Sequence, residues 1–235
     1  MALEVVLRVE KLARVYPTGA GVREVGFTLG KGEIGALVGP NGSGKTTLLD
    51  ALAGQSPHSG EVWILGKKPE DPAARRVHLA YLPEERDLPP FLTGRTAARL
   101  AEELWRSPGY RDRFEHEQKR WGLDEASLSL PAAALSQGTR EKLSLALIFA
   151  REAAIYVLDE PEAHLDPIMR AELEACMMEL KKKGKTVLFA THDVHLAARL
   201  GDRVFAIRSG RVRELKERSP EAILTALRGG EGEDA

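Results

Sequence analysis

Residues 39–46, Gly-Pro-Asn-Gly-Ser-Gly-Lys-Thr, constrain this chain more than any other stretch. They satisfy G-x-x-x-x-G-K-[ST] in full, follow the apolar run 34–38 and precede the helix-forming stretch 47–53. Strand, glycine turn and helix form the context in which this motif wraps a phosphate chain. Gly39, Gly42 and Gly44 let the backbone curl until several N–H groups face one point, where the following helix adds its positive end. The motif assigns Lys45 to the β and γ phosphates and the Thr46 hydroxyl to Mg²⁺. Pro40, Asn41, Ser43 and Thr47 complete the phosphate-facing stretch. Binding of a nucleoside triphosphate is the expectation.

The rest of the composition narrows the setting. With 235 residues there is length for one substantial core, or for one domain with an inserted lobe. A formal net charge of -1 gives no basic field to hold nucleic acid or lipid headgroups, so no nucleic-acid partner is expected. The single cysteine, Cys176, allows no internal disulfide and reads as a small core residue in an apolar helical stripe. Glu4 stands where a secretory leader would be basic, and the apolar runs are too short to span a bilayer. These features predict a cytoplasmic protein.

Nearly continuous apolar runs at 34–38, 155–158, 186–190 and 204–207 read as strands buried on both faces. Between the second and third, Leu173, Cys176, Met177 and Leu180 recur at helical spacing behind Asp166 as N-cap and Pro167 in the first turn. Lys181, Lys182 and Lys183, followed by Gly184, suit the end of that helix as a solvated terminus. The alternation predicts an α/β domain with a largely parallel sheet. Segments 3–9, 22–29 and 60–65 read instead as antiparallel strands around the phosphate loop. From about 87 to 150 no strand pattern occurs. Ala97, Leu100, Ala101 and Leu104 mark one amphipathic helix, 111–121 a second, and Leu143, Ala146, Leu147 and Ala150 a third. This is a helical subdomain inserted in the core of a single domain spanning 1–228. The tail, 229–235, is acidic and glycine-rich and is expected to be disordered.

Two acids close the strand at 155–158. Asp159 at its C-terminal edge can hold Mg²⁺ through water, and Glu160 can orient or deprotonate the water that attacks the γ phosphate. Further along the helical region, Leu135-Ser-Gln-Gly-Thr139 and the following 140–146 resemble the LSGGQ signature and helix of the ATP-binding cassette (ABC) family. The resemblance then covers nearly the whole chain, in that family's motif order. Tyr16 resembles the aromatic residue that stacks on adenine, and 81–84 (Tyr-Leu-Pro-Glu) the Q-loop, with Glu84 as a metal contact. Residues 162–166 are similar to the D-loop, ending on Asp166 as a nucleotide-site residue, and His192 resembles the switch histidine that senses the γ phosphate.

That resemblance implies a P-loop ATPase core with a mostly parallel sheet, an antiparallel β subdomain and an inserted helical subdomain. It implies ATP and Mg²⁺ as cofactors, with Lys45, Glu160 and His192 as catalytic residues. It also implies a head-to-tail dimer with a second, identical or different, cassette whose Ser136 and Gly138 close on ATP held by the first. A separate transmembrane permease would dock near 88–92 and hold the chain on the cytoplasmic face of the membrane. The Tyr81–Glu84 string points toward an exporter. Departures are Gln137 and Thr139 in the signature, Glu84 for the usual Gln, and His164 in the D-loop. An iron–sulfur cluster assembly ATPase and a degenerate regulatory cassette are the alternatives. His195, Trp63, Trp105 and Trp121 read as packing or surface residues.

Overall fold

Alternation in the apolar runs decides how the chain layers. A computed structural model describes residues 4–69, 72–86 and 88–229; Leu3, Asp87 and the acidic tail 230–235 lie outside them. In chain order the strands are β1 (Val5–Val15), β2 (Gly21–Gly30), β3 (Ile34–Val38), β4 (Ser59–Ile64), β5 (Leu79–Leu82), β6 (Ile155–Asp159), β7 (Thr186–Thr191), β8 (Arg203–Arg208) and β9 (Arg211–Leu215). The helices are α1 (Lys45–Ala53), α2 (Gly94–Trp105), α3 (Tyr110–Arg120), α4 (Glu125–Ser129), α5 (Gln137–Phe149), α6 (Pro167–Lys182), α7 (Val194–Leu200) and α8 (Pro220–Arg228).

The main sheet has the order β5-β6-β7-β3-β8-β9. Its first five strands run parallel and β9 pairs antiparallel with β8. A second, antiparallel sheet has the order β2-β1-β4. Successive side chains of a strand point to opposite faces, so each central strand feeds two cores. Ile34, Ala36 and Val38 of β3, Tyr156 and Leu158 of β6, and Val187 and Phe189 of β7 face the helices α5–α8. Leu37, Val157, Leu188 and Ala190 face α1 and the antiparallel sheet. This double burial is why these strands read as continuous apolar runs.

Between β5 and β6 the chain forms four helices and, among the described residues, no strand beyond an isolated bridge of Thr93 with Pro131. Tyr110, Phe114, Trp121 and Phe149 form the aromatic centre of this lobe, with Trp121 stacked on Phe149. Arg120 of α3 binds Glu172 and Glu179 of α6, tying the lobe to the core. Cys176 is buried, and burial pushes its thiol well above the ordinary range.

Several expectations need correction. Ala97 and Ala101 of α2 are buried, but Leu100 and Leu104 are exposed: the helix packs on its small residues, and its leucine edge faces outward. The second helix starts at Tyr110, and Trp121 caps it rather than belonging to it. β1 continues to Val15, well past the expected end at residue 9, because β2 pairs with it along its length. β5, β9, α4, α7 and α8 carry no separate signal in the sequence. Gly229, assigned to the tail, instead caps α8 through its N–H to the Thr225 carbonyl.

Candidate nucleotide-binding site

The parallel strands β3, β6 and β7 all end on the same edge of the sheet, and the chain puts a polar residue or a glycine turn at each end. After β3 the phosphate loop turns directly into α1. A Cβ on Gly39 would lie 2.5 Å from the Ile207 carbonyl oxygen and 2.6 Å from Ser43 Oγ, so only glycine fits where the loop leaves the strand. Gly44 has φ 107° and is the N-cap of α1 without any side-chain cap. The first amides of α1 are therefore not engaged by a side chain and remain free to donate. Val22 and Gly21, at the start of β2, pack against Gly44. Gly21 in turn pairs with Val15, which brings the β1–β2 turn bearing Tyr16 alongside the loop. Tyr16 is half-buried, and the Arg14 guanidinium lies 4.8 Å from its ring centroid.

Five predicted residues converge with Lys45. Its ammonium, almost fully buried, donates to the Gly39 carbonyl at 3.0 Å and lies 3.4 Å from a Glu160 carboxylate oxygen. The other Glu160 oxygen is 3.0 Å from Nδ1 of His192, whose ring is largely exposed. Thr46 donates its hydroxyl to Glu84 at 3.2 Å. Asp159 is fully buried at the end of β6 beside this group, and neither carboxylate oxygen has a hydrogen-bond partner. Burial raises its pKa to about 6; the carboxylates of Glu84 and Glu160 add to the rise, and the nearby Thr46 hydroxyl and Lys45 ammonium oppose it.

A buried carboxylate without a donor is costly unless something else compensates it. The surrounding hard oxygen donors, from Thr46, Glu84 and Asp159, have the chemistry that Mg²⁺ takes. Among the described residues no three His, Cys, Asp or Glu side chains converge to hold a metal by themselves. That sparse set suits Mg²⁺, which keeps its waters and binds through one or two carboxylates plus substrate phosphates. The residues fit the ion.

Other predicted residues lie elsewhere. Ser136 is the exposed N-cap of α5; its hydroxyl oxygen accepts from the Thr139 N–H at 3.2 Å and lies 2.8 Å from the Thr139 hydroxyl. The Thr139 departure thus takes part in the cap, so the Ser136 hydroxyl is not simply an unengaged donor. A Cβ on Gly138 would meet nothing within 4 Å. Among the described residues no hydrogen bond or ion pair joins Ser136 or Gly138 to the Lys45 cluster. Asp166 is exposed and caps α6, accepting from the Met169 N–H at 2.9 Å. His195 is exposed at the start of α7.

Two buried charges near this group were not singled out from the sequence, Glu162 falling only within the D-loop resemblance and Arg86 in none. Glu162 is buried, accepts from the Thr191 hydroxyl, and has its carboxyl pushed up by burial. Arg86 is buried and donates to the carbonyl of Glu160 at 2.7 Å. An arginine two residues beyond Glu84, inside an acidic loop, was the available signal, but it reads as a solvated charge until the fold buries it.

Known proteins resemble this chain over most of its length. The ABC transporter family profile matches residues 22–163. The SkfA peptide export ATP-binding protein SkfE of Bacillus subtilis is 32% identical over 215 residues, covering 88% of this chain and 87% of that protein. The Fe(3+) ions import ATP-binding protein FbpC of Haemophilus influenzae is 30% identical over 218 residues, covering 89% of this chain and 62% of that protein. A dimeric ATP-binding cassette solved in a post-hydrolysis state with ADP and Pi superposes with a TM-score of 0.79 at 26% identity, covering 91% of this chain and 99% of that one. Among the described residues no helix is long and apolar enough to cross a membrane.

Proposed function

Because the chain belongs to the ABC transporter family as an ATP-binding, ATP-hydrolysing cassette, we propose that two copies close head-to-tail on two ATP and drive a separate membrane permease. One observation carries this reading: Lys45, Thr46, Glu84, Asp159, Glu160 and His192 are clustered at one sheet edge, while Ser136 and Gly138 stand open elsewhere on the same chain. A γ phosphate seated on α1 has donors beneath it and nothing of the signature turn above it. The missing donors are the exposed start of α5, which a second protomer can supply.

In this account the α1 amides and Lys45 hold the phosphates, and charge developing in the transition state is neutralised by the same groups. Thr46, Asp159 and Glu84 would hold Mg²⁺, which would supply positive charge against the phosphates. Glu160 accepts the proton of the attacking water. His192, 3.0 Å from Glu160, orients that carboxylate and reports the γ phosphate. Closed dimers are favoured only while a γ phosphate joins both surfaces, so hydrolysis reopens them.

The permease contact falls on the loop before α2. Phe91 is 78% exposed, whereas Leu88 and Leu92 pack into the lobe. This separates the docking residue from its structural neighbours. Peripheral attachment to the cytoplasmic face follows from that partner. The SkfE likeness and the Tyr81–Glu84 string support export, whereas FbpC is named for import.

The Glu160→Gln variant tests the reading. With ATP and Mg²⁺ it should elute as a dimer and hydrolyse little, and with ADP as a monomer. A monomer under both conditions would refute closure on the γ phosphate.

A further inference from the structure

Arg86 connects three parts of the proposed machinery through one guanidinium. It sits two residues after Glu84, with its side chain almost completely enclosed. One terminal nitrogen pairs with the carboxylate of Glu141, itself buried on α5, the helix that Ser136 caps. The other donates to the backbone carbonyl of Glu160 at 2.7 Å.

Glu160 needs such support. Its φ is 42°, in the left-handed region that is strained for a non-glycine residue. Three backbone-directed bonds hold it there: its N–H donates to the Ala190 carbonyl at 3.0 Å, and its carbonyl accepts from Ala163 N–H at 3.0 Å and from Arg86. Two of these partners lie within the β6–β7 framework and the adjacent turn. Among the described residues, Arg86 is the hydrogen-bonded link from Glu160 to the helical lobe. A fixed φ aims the side chain, placing the Glu160 carboxylate between Lys45 and His192.

We propose that Arg86 is a positioning residue that sets the Glu160 carboxylate and makes its placement depend on α5. This rests on the ATPase reading of Glu160. When α5 moves relative to β6, the planar fork must carry the Glu160 carbonyl with it or give up one of its two bonds. The signature helix and the attacking end of the site then act together. Two aligned nitrogens are required for this span, and lysine, with one compact ammonium, cannot reproduce it. A buried pair of this kind is poor at adding net stability, so holding a geometry is the better account of its presence.

A double-mutant cycle distinguishes positioning from packing. Arg86→Lys should lower single-turnover ATP hydrolysis at least tenfold while leaving ATP affinity within threefold. In a Glu160→Gln background the same change should cost less than twofold, because the carboxylate it positions is gone. If Arg86→Lys does not fold, Glu141→Gln, which keeps a neutral acceptor of the same shape, runs the same cycle. It should lose at least threefold in the parent and nothing further beside Glu160→Gln. Equal losses in both backgrounds, no loss, or failure of both variants to fold would overturn the proposal and leave a plain structural ion pair. Undiminished turnover in Glu160→Gln alone would refute the Glu160 assignment itself, and the positioning role with it.

Discussion

Replacing Asp159 by Asn should make the nucleotide-free protein more stable while removing its use of Mg²⁺. Asp159 is fully buried, its oxygens lack donors, and its pKa is raised from 3.8 to about 6. That difference corresponds to about 3 kcal/mol of penalty on the ionised form in the folded state. The sign follows from linkage. Between 3.8 and about 6 the folded chain binds more protons than the unfolded one, so the penalty is absent below 3.8, grows through this window and is full above 6. Asn mimics the neutral carboxyl and carries no such penalty. The variant should therefore gain about 1–2 kcal/mol at pH 5 and about 3 kcal/mol at pH 8. At this chain length the larger gain is a rise of roughly 6–12 °C in Tm. Urea unfolding without nucleotide, at both pH values, reads the difference. Adding Mg²⁺ to ATP should then protect the parent further but leave Asp159→Asn unchanged. A variant that is no more stable, or equally stabilised at both pH values, would refute the reasoning.

Gly39→Ala should abolish nucleotide binding in equilibrium titration, since its Cβ would meet the Ile207 carbonyl at 2.5 Å and push the loop off β3. Asp166→Ala should lower stability by about 1 kcal/mol in chemical denaturation, the worth of an N-cap, because Met169 N–H loses its acceptor. Phe91→Glu should change stability by less than about 0.5 kcal/mol, as suits an exposed position. It should also keep the basal ATPase while losing stimulation by the reconstituted permease; a collapsed fold would remove Phe91 from the interface.

Much of the core was legible in the sequence because two-sided burial leaves β3, β6 and β7 uninterrupted by polar residues. The site was legible where chemistry is tied to consecutive residues, as in 39–46 and Asp159-Glu160. It was less legible where function depends on folding partners. Arg86 looks like one more charge in an acidic loop, and only the approach of Glu141, 55 positions away, buries it. The leucine edge of α2 misled because periodicity shows that a helix has an apolar stripe but not which side of it packs; here the alanines do. β9, Arg-Val-Arg-Glu-Leu, lies at the sheet edge, carries three charges and buries none of its residues fully, so it lacks the apolar run of its parallel neighbours. Tyr16 and Ser136 are placed by their turns and caps, and a partner surface lies beyond what one chain's spacing encodes.

Mixed dimers carrying Lys45→Ala and Ser136→Ala test the shared site most directly, in a Glu160→Gln background with retained ATP counted per dimer. With the two changes on opposite protomers, both fall in one composite site, and the other should keep one ATP. With both on the same protomer, each site loses one half, and none should be retained. The reverse pattern, one ATP when the changes share a protomer and none when they are split, would show that each chain closes its own nucleotide.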